Sequence, residues 1–225
     1  MSEEHKEFKN FSSFTDLDDV CDIFGYEYQY EPFVEEKKYI MNDYFKQSLL
    51  EDFGDLRNFV NEFVICETLI RPILSDIARV NKLPLWSHVK LEYDKNIGLT
   101  GEPDYFLAQS TMKKGKRFSN VVVCLGEAKK GKIDDAWGQV GAAMVAAHKL
   151  NGRENENVLI YGLVSTGKSW EFGKLENKLF SIDPNSQATP ADLQKVLNII
   201  NWMFCEARKN ADILAKFAKN NKKRS

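Results

Sequence analysis

Two carboxylates and a lysine are placed where they could act together on a metal ion. Asp104 precedes a short apolar run at residues 105–107, and Glu127 and Lys129 follow a second run at residues 121–125. Both runs are rich in β-branched and aromatic residues, which is typical of β-strands. Because side chains alternate along a strand, Glu127 and Lys129 should point to the same face. Carboxylates and an ammonium group that converge in this way can hold a hard divalent cation and a water molecule.

A β-hairpin would bring these residues together. The lysine-rich residues 113–117 separate the two apolar runs and have the composition of a turn. Residues 89–93 alternate between apolar and polar side chains, and we expect them to form the first strand of the core. A buried strand is expected at residues 157–164. The sequence therefore predicts an α/β fold in which a mixed central sheet is flanked by helices.

Two helices are expected to flank the hairpin. Residues 56–80 form the strongest helical pattern before the hairpin, and Glu67 falls on their apolar face, where a carboxylate needs a partner. Glu62 is the alternative acid on this helix. The second helix is expected at residues 134–150, where many small side chains would let it lie close to a sheet.

The residues of the hairpin resemble a known nuclease motif. Pro103-Asp104 followed by Glu127-Ala128-Lys129 is similar to the PD-(D/E)xK motif of the restriction-endonuclease-like nuclease superfamily. The resemblance implies a helix–strand–strand–strand–helix–strand core with the motif carboxylates at strand ends. It covers about residues 55–180 and leaves both ends of the chain unexplained.

The resemblance also implies an activity and a set of site residues. The expected protein is a Mg²⁺- or Mn²⁺-dependent nuclease that hydrolyses DNA. Lys129 would orient a water molecule and offset the charge that builds up on phosphorus. Gln139 is included because the Holliday-junction-resolvase branch of the superfamily often has a glutamine on the helix after the motif. The implied metal ligands are Asp104, Glu127, the carbonyl of Ala128 and a helix acid, with Glu67 preferred over Glu62.

Length and composition are those of an ordinary soluble globular protein. The chain has 225 residues, of which 43% are hydrophobic and 28% charged. We expect an acidic N-terminal extension at residues 1–54, a nuclease-like domain at residues 55–218 and a disordered basic tail at residues 219–225. No transmembrane-length apolar run or signal peptide is visible. The four scattered cysteines are those expected of reduced thiols, so a cytoplasmic location is predicted.

The charge distribution is compatible with a DNA partner. Residues 1–62 contain 16 acidic and 6 basic residues, whereas the remainder contains 17 and 25, so the net charge of −2 conceals a basic portion. Lys130, Lys132 and the turn at residues 113–117 are candidates for contacts with the DNA backbone. Contact with a membrane is not expected. The sequence is compatible with a homodimer and with a larger defence or repair complex.

Two other functions remain open at this stage. Residues 162–169 read G-L-V-S-T-G-K-S, which formally matches the phosphate-binding P-loop of nucleotide hydrolases. A P-loop must open directly into a helix, but strand-like residues follow here, so we expect residues 165–168 to be a hairpin turn. The second alternative is a catalytically silent nuclease fold that binds nucleic acid or protein.

Overall fold

The computed structural model describes residues 8–110, 117–130, 133–151 and 159–221. The protein is α/β, with a mixed central sheet between helices. The ten strands are β1 (Glu27–Tyr30), β2 (Leu85–Ser87), β3 (Leu91–Asp94), β4 (Leu99–Gly101), β5 (Tyr105–Ser110), β6 (Phe118–Ala128), β7 (Ile160–Ser165), β8 (Ser169–Glu176), β9 (Leu179–Ile182) and β10 (Gln187–Ala188).

The helical elements frame this sheet. The α-helices are α1 (Leu17–Phe24), α2 (Asp43–Gly54), α3 (Glu62–Ile65), α4 (Arg71–Val80), α5 (Asp134–Leu150) and α6 (Leu193–Asn221). A π-helical segment, Cys66–Ile70, joins α3 to α4. Short 3₁₀ turns occur at Phe11–Ser13, Leu56–Phe59 and Lys95–Ile97. In the described part of the chain, no helix combines the length and apolar character needed to span a membrane.

The central sheet has eight strands in the order β1-β9-β8-β7-β6-β5-β2, with β10 beside β8. β5 and β6 form the expected antiparallel hairpin, in which Tyr105 is opposite Gly126 and Ser110 is opposite Phe118. β6 and β7 are parallel and are connected through α5. A parallel pair requires such a crossover, which explains why the second predicted helix lies between these two strands.

The expected first core strand is not part of the central sheet. β3 pairs with β4 in a separate two-stranded sheet, and β2 occupies the edge position beside β5. β2 ends at Ser87, and the next residue, His88, has a left-handed φ of 49°. A residue in this conformation cannot continue an extended strand, so the alternating pattern of residues 89–93 was assigned to the wrong sheet.

The helical pattern of residues 56–80 is also interrupted. The 3₁₀ turn Leu56–Phe59 is followed by a new helix start, where the Asn61 side chain accepts a hydrogen bond from the Val64 N–H. The π-helical segment then changes the helical phase before α4 begins. The predicted apolar face is therefore discontinuous, and Phe63 at the start of α3 is 68% exposed.

Helix α5 forms where it was expected, but its glycines serve a different contact. A Cβ at Gly138 would collide with the backbone of Phe14 and Asp16, and one at Gly141 would come within 2.6 Å of Leu17. The glycines therefore allow α1 and the residues before it to lie close to α5, while bulky side chains of α5 face the sheet. Trp137 illustrates this, because it packs against Gly173 of β8.

The acidic N-terminal segment shares the core of the protein. Phe11 and Phe14 are 2% and 1% exposed, and β1 pairs in parallel with β9. Asp16 caps the start of α1 by accepting a hydrogen bond from the Asp19 N–H. At the other end of the chain α6 continues to Asn221, so residues 219–221 of the expected tail are helical and residues 222–225 lie outside the described part.

The P-loop pattern falls on a β-hairpin. β7 and β8 are antiparallel, with Ser165 opposite Trp170, and the turn between them contains Gly167 at a φ of 77°. Ser169 begins a strand and not a helix, so the loop does not open directly into a helix. The hairpin-turn interpretation is confirmed, and the nucleotide-hydrolase alternative lacks the geometry that it requires.

Candidate metal centre

Asp104 lies immediately before β5 and reaches across to the end of β6. Its Oδ2 accepts a hydrogen bond of 2.8 Å from the Ala128 N–H, and its Oδ1 lies 3.6 Å from Nδ1 of His88. Burial raises the pKa of Asp104, while the Ala128 N–H and the His88 ring act in the opposite direction. His88 was missed in the sequence because it lies 16 positions upstream and belongs to no recognisable motif.

Glu127 is the most enclosed acid of the site. Its residue exposure is 3%, and it lies near the end of β6, where β7 and β5 flank it on either side. Burial holds its pKa well above the ordinary value of 4.5, and the Asp104 carboxylate raises it further. A carboxylate in this position favours a nearby cation, because a cation offsets both effects.

Lys129 supplies the ammonium group of the site. Its Nζ lies 3.5 Å from Glu127 Oε1, which bears out the expectation that the two side chains share a face. The same Nζ lies 3.3 Å from Gln139 Oε1 and 3.8 Å from Glu62 Oε1. The backbone N–H of Lys129 donates to the Ser165 carbonyl at 2.9 Å, so the adjacent strand β7 fixes its position.

The acid from the upstream helix is Glu62 and not Glu67. Carboxylate oxygens of Glu62, Asp104 and Glu127 all lie within 4.8 Å of one another. Glu67 instead lies 3.7 Å from Arg71, one helical turn further on, and lines a cleft beside α4. The preference for Glu67 depended on a continuous helix, whereas the helix that contains Glu62 begins afresh at the Asn61 cap.

Ala128 and Gln139 also adjoin the cluster. In an extended strand the N–H and C=O of one residue point to the same side. Because the Ala128 N–H is directed at Asp104, its carbonyl is directed toward the same side of β6. Gln139, from the first half of α5, contacts the site through Lys129. The residues that were predicted to form the site are therefore adjacent in space, except for Glu67.

The candidate DNA contacts are divided between two ends of the hairpin. Lys130 follows the carboxylate end, and its Nζ lies 2.6 Å from the Val60 carbonyl. Arg117 precedes the other end, where Ser110 pairs with Phe118. The six residues from Tyr105 to Ser110 span about 17 Å, so the flank of the basic turn is remote from Asp104. Residues 113–116 and Lys132 lie outside the described part of the chain.

Comparisons of the chain with protein-family models, with curated proteins and with solved structures found no match. The interpretation of the site therefore depends on its own geometry and chemistry.

Proposed function

We propose that this protein is a metal-dependent nuclease that hydrolyses phosphodiester bonds of DNA. The observation that carries the proposal is the convergence of Asp104, Glu127 and Lys129 from the two strands of one hairpin. Two carboxylates, a buried environment and one lysine form a combination that suits metal-assisted phosphodiester hydrolysis, because negative charge accumulates on the phosphate during the reaction.

The chain order of the elements supports the proposal. Along the chain, α4, β2, β5, β6, α5 and β7 follow one another in the central sheet and its flanking helices. This is the helix–strand–strand–strand–helix–strand order of the restriction-endonuclease-like core that the motif implies. The motif carboxylates lie at strand ends, as that core requires. The two-stranded sheet of β3 and β4 is an insertion between β2 and β5.

The donor set fits a small hard cation. Glu62, Asp104 and Glu127 offer carboxylate oxygens, and Mg²⁺ and Mn²⁺ prefer oxygen ligands, with water completing the shell. The Ala128 carbonyl would offer a further oxygen, since the N–H of the same residue is directed at Asp104. A bound divalent cation would polarise the scissile phosphate and lower the pKa of a water molecule.

Lys129 has a separate role in this proposal. Its ammonium group lies 3.5 Å from Glu127 and its side chain is only 22% exposed, so the positive charge is held beside the carboxylates. There it can orient the attacking water and stabilise charge on the phosphate. Gln139 accepts a hydrogen bond from the ammonium group and thereby limits its movement. Removing Lys129 should therefore affect turnover more than metal affinity.

A silent binding module with the same fold is the alternative. Such a protein would also keep a buried acidic cluster, but it would not need a lysine held between two carboxylates and a glutamine. The arrangement around Lys129 therefore favours catalysis. The two functions differ in one measurable property, which is the hydrolysis of DNA by the purified protein.

The test is a cleavage assay with Mg²⁺ or Mn²⁺ on linear, circular, single-stranded and branched DNA. We expect cleavage that depends on the metal, and cutting of circular DNA would show endonuclease action. Asp104→Asn and Glu127→Gln should each reduce the rate by roughly a thousandfold, because a catalytic cation contributes several kcal/mol. Lys129→Ala should lose most turnover but still bind Mn²⁺.

Glu67→Gln is the matched control for this assay, because it removes an acid of the same helical region that lies outside the cluster. Its rate should equal that of the unchanged protein. Cleavage by Asp104→Asn at the original rate would disprove the mechanism. Binding of DNA without cleavage under every metal condition would favour the silent module.

A further inference from the structure

Three large apolar side chains are exposed within eight residues beside the candidate site. Leu56, Val60 and Phe63 are 77%, 54% and 68% exposed. They belong to the 3₁₀ turn after α2 and to the start of α3. Isolated exposed apolar residues are common in proteins, but a group of them suggests a surface that is covered by another molecule. We call residues 56–63 the apolar rim.

The apolar rim is fixed at the edge of the metal centre. Glu62, whose carboxylate joins the cluster, lies between Val60 and Phe63 in the chain. The Val60 carbonyl accepts the hydrogen bond of 2.6 Å from Lys130, the residue after Lys129. A nucleic-acid strand with its scissile phosphate at the carboxylates must therefore pass the rim on one side of the cut.

Two lysines lie beside the apolar rim. Lys130 is exposed and is tied to Val60. Lys168 is also exposed, and its ammonium group lies 4.3 Å from the centre of the Phe59 ring. Gly167 brings the β7–β8 turn under the rim, because a Cβ there would approach Ile65 and Phe59. Lys168, which belongs to the P-loop-like residues 162–169, is therefore part of this surface.

We propose that the apolar rim binds unpaired nucleotides, so that the preferred substrate is DNA with a single-stranded stretch beside the cut. This inference rests on the proposed function, because it takes the scissile phosphate to lie at the carboxylates. A base stacks on Phe63, and Lys130 and Lys168 contact the flanking phosphates. Aromatic platforms next to cationic side chains are the general means by which proteins hold single strands.

The composition of the rim favours a single strand over a duplex and over a protein partner. The faces of paired bases are covered by their neighbours in a duplex, so an exposed phenyl ring gains little from it. A protein partner would bury the ammonium groups of Lys130 and Lys168, at a cost unless acidic side chains matched them. Unpaired nucleotides offer apolar faces and negative phosphates together, which complements both features of the rim.

The test measures binding without divalent metal, so that no strand is cut. Fluorescence anisotropy is recorded with a short fluorescein-labelled single strand of mixed sequence and with the same sequence as a blunt duplex. We expect tighter binding of the single strand. Phe63→Ala should weaken that binding by about fivefold or more, which corresponds to the loss of one stacked base. Duplex binding should change little.

Further variants separate stacking from other effects. Phe63→Trp should retain single-strand affinity, and Phe63→Leu should behave like Phe63→Ala, because only an aromatic ring stacks. Lys130→Gln and Lys168→Gln should each reduce the slope of log affinity against log salt by about 0.7. Ile213→Ala is the control, since Ile213 is half exposed on α6, next to Asp212, which contacts the far end of β5 at Gln109.

Equal affinity for single strand and duplex, or an unchanged affinity in Phe63→Ala, would overturn the proposal. Self-association that Phe63→Ala abolishes while DNA affinity stays constant would assign the rim to a protein interface and also overturn it. A parallel cleavage assay with Mn²⁺ tests the proposed function separately. A single-strand preference that depends on Phe63, in a protein that cleaves nothing, would support the rim and contradict the nuclease.

Discussion

Glu127 and Asp183 are both 3% exposed, yet their carboxylates are held in opposite ways. Asp183 follows β9 and faces the backbone of the N-terminal segment. Burial tends to raise its pKa, but N–H groups of Phe33, Asn185 and Val34 donate to it, and the net result is a lowered pKa. Burial raises the pKa of Glu127, and the neighbouring Asp104 carboxylate adds to the increase.

The difference lies in what surrounds each carboxylate, and in the proposed function it separates a structural acid from a metal ligand. The charge of Asp183 is already balanced by donors at 2.9 to 3.1 Å, and these donors connect the N-terminal segment to the sheet. Glu127 has Lys129 at 3.5 Å but also a second carboxylate close by. Its negative charge is therefore less completely balanced than that of Asp183.

The largest expected effect on stability is that of Asp183→Ala. This change leaves the N–H groups of Phe33, Val34 and Asn185 without their acceptor, and hydrogen bonds to a charged group are among the stronger ones. We expect a loss of about 3 kcal/mol in the free energy of unfolding. Denaturant titration measures it, with Asp183→Asn expected to lose less. An unchanged unfolding midpoint would show that Asp183 does not stabilise the fold.

In the absence of metal, Glu127→Gln should instead increase the free energy of unfolding. The folded protein binds a proton at Glu127 more tightly than the unfolded chain does, so this group favours folding below the ordinary pKa of 4.5 and loses that contribution as pH rises through the folded value. The glutamine variant has no such loss. We expect it to be more stable by on the order of 1 to 2 kcal/mol near neutral pH.

Unfolding curves with EDTA from pH 5 to pH 8 check this prediction, since the gap between the two proteins should widen with pH. Asp183 titrates in the other direction, because its lowered pKa stabilises the fold above 3.8 and that contribution is lost only in more acidic solution. A constant difference in unfolding free energy between the two proteins across this range would show that folding does not raise the pKa of Glu127.

The smallest expected effect is on metal affinity, and it distinguishes Glu62 from Glu67. Glu62→Gln should weaken Mn²⁺ binding by about tenfold, because one of three carboxylates becomes neutral. Glu67→Gln should leave it unchanged. Isothermal titration with Mn²⁺ at fixed pH distinguishes the two, and binding should weaken for all variants as pH falls because protons compete for the ligands. An equal loss of Mn²⁺ affinity in both variants would show that Glu67 also contributes to the metal site.

The local sequence was sufficient to predict the elements with a clear period or a clear boundary. Helix α5 and the β5–β6 hairpin form as their patterns indicate, because side-chain alternation and turn composition are local properties. The same alternation predicted that Glu127 and Lys129 share a face. The hairpin turn in the P-loop lookalike was predictable too, since the residues after Lys168 favour a strand over a helix.

Only the tertiary structure decided which further residues meet the hairpin. Glu62 replaces Glu67 because the helix restarts at Asn61 and passes through a π-helical segment, and no periodic pattern reveals such a change of phase. His88 lies next to Asp104 because it follows β2, which pairs with β5 directly after Asp104. The opposite pKa shifts of Glu127 and Asp183 could not be predicted from the sequence either, because they depend on which groups surround each carboxylate in space. The sequence by itself determined the hairpin and the residue types of the candidate site, whereas long-range packing determined which other residues contact them.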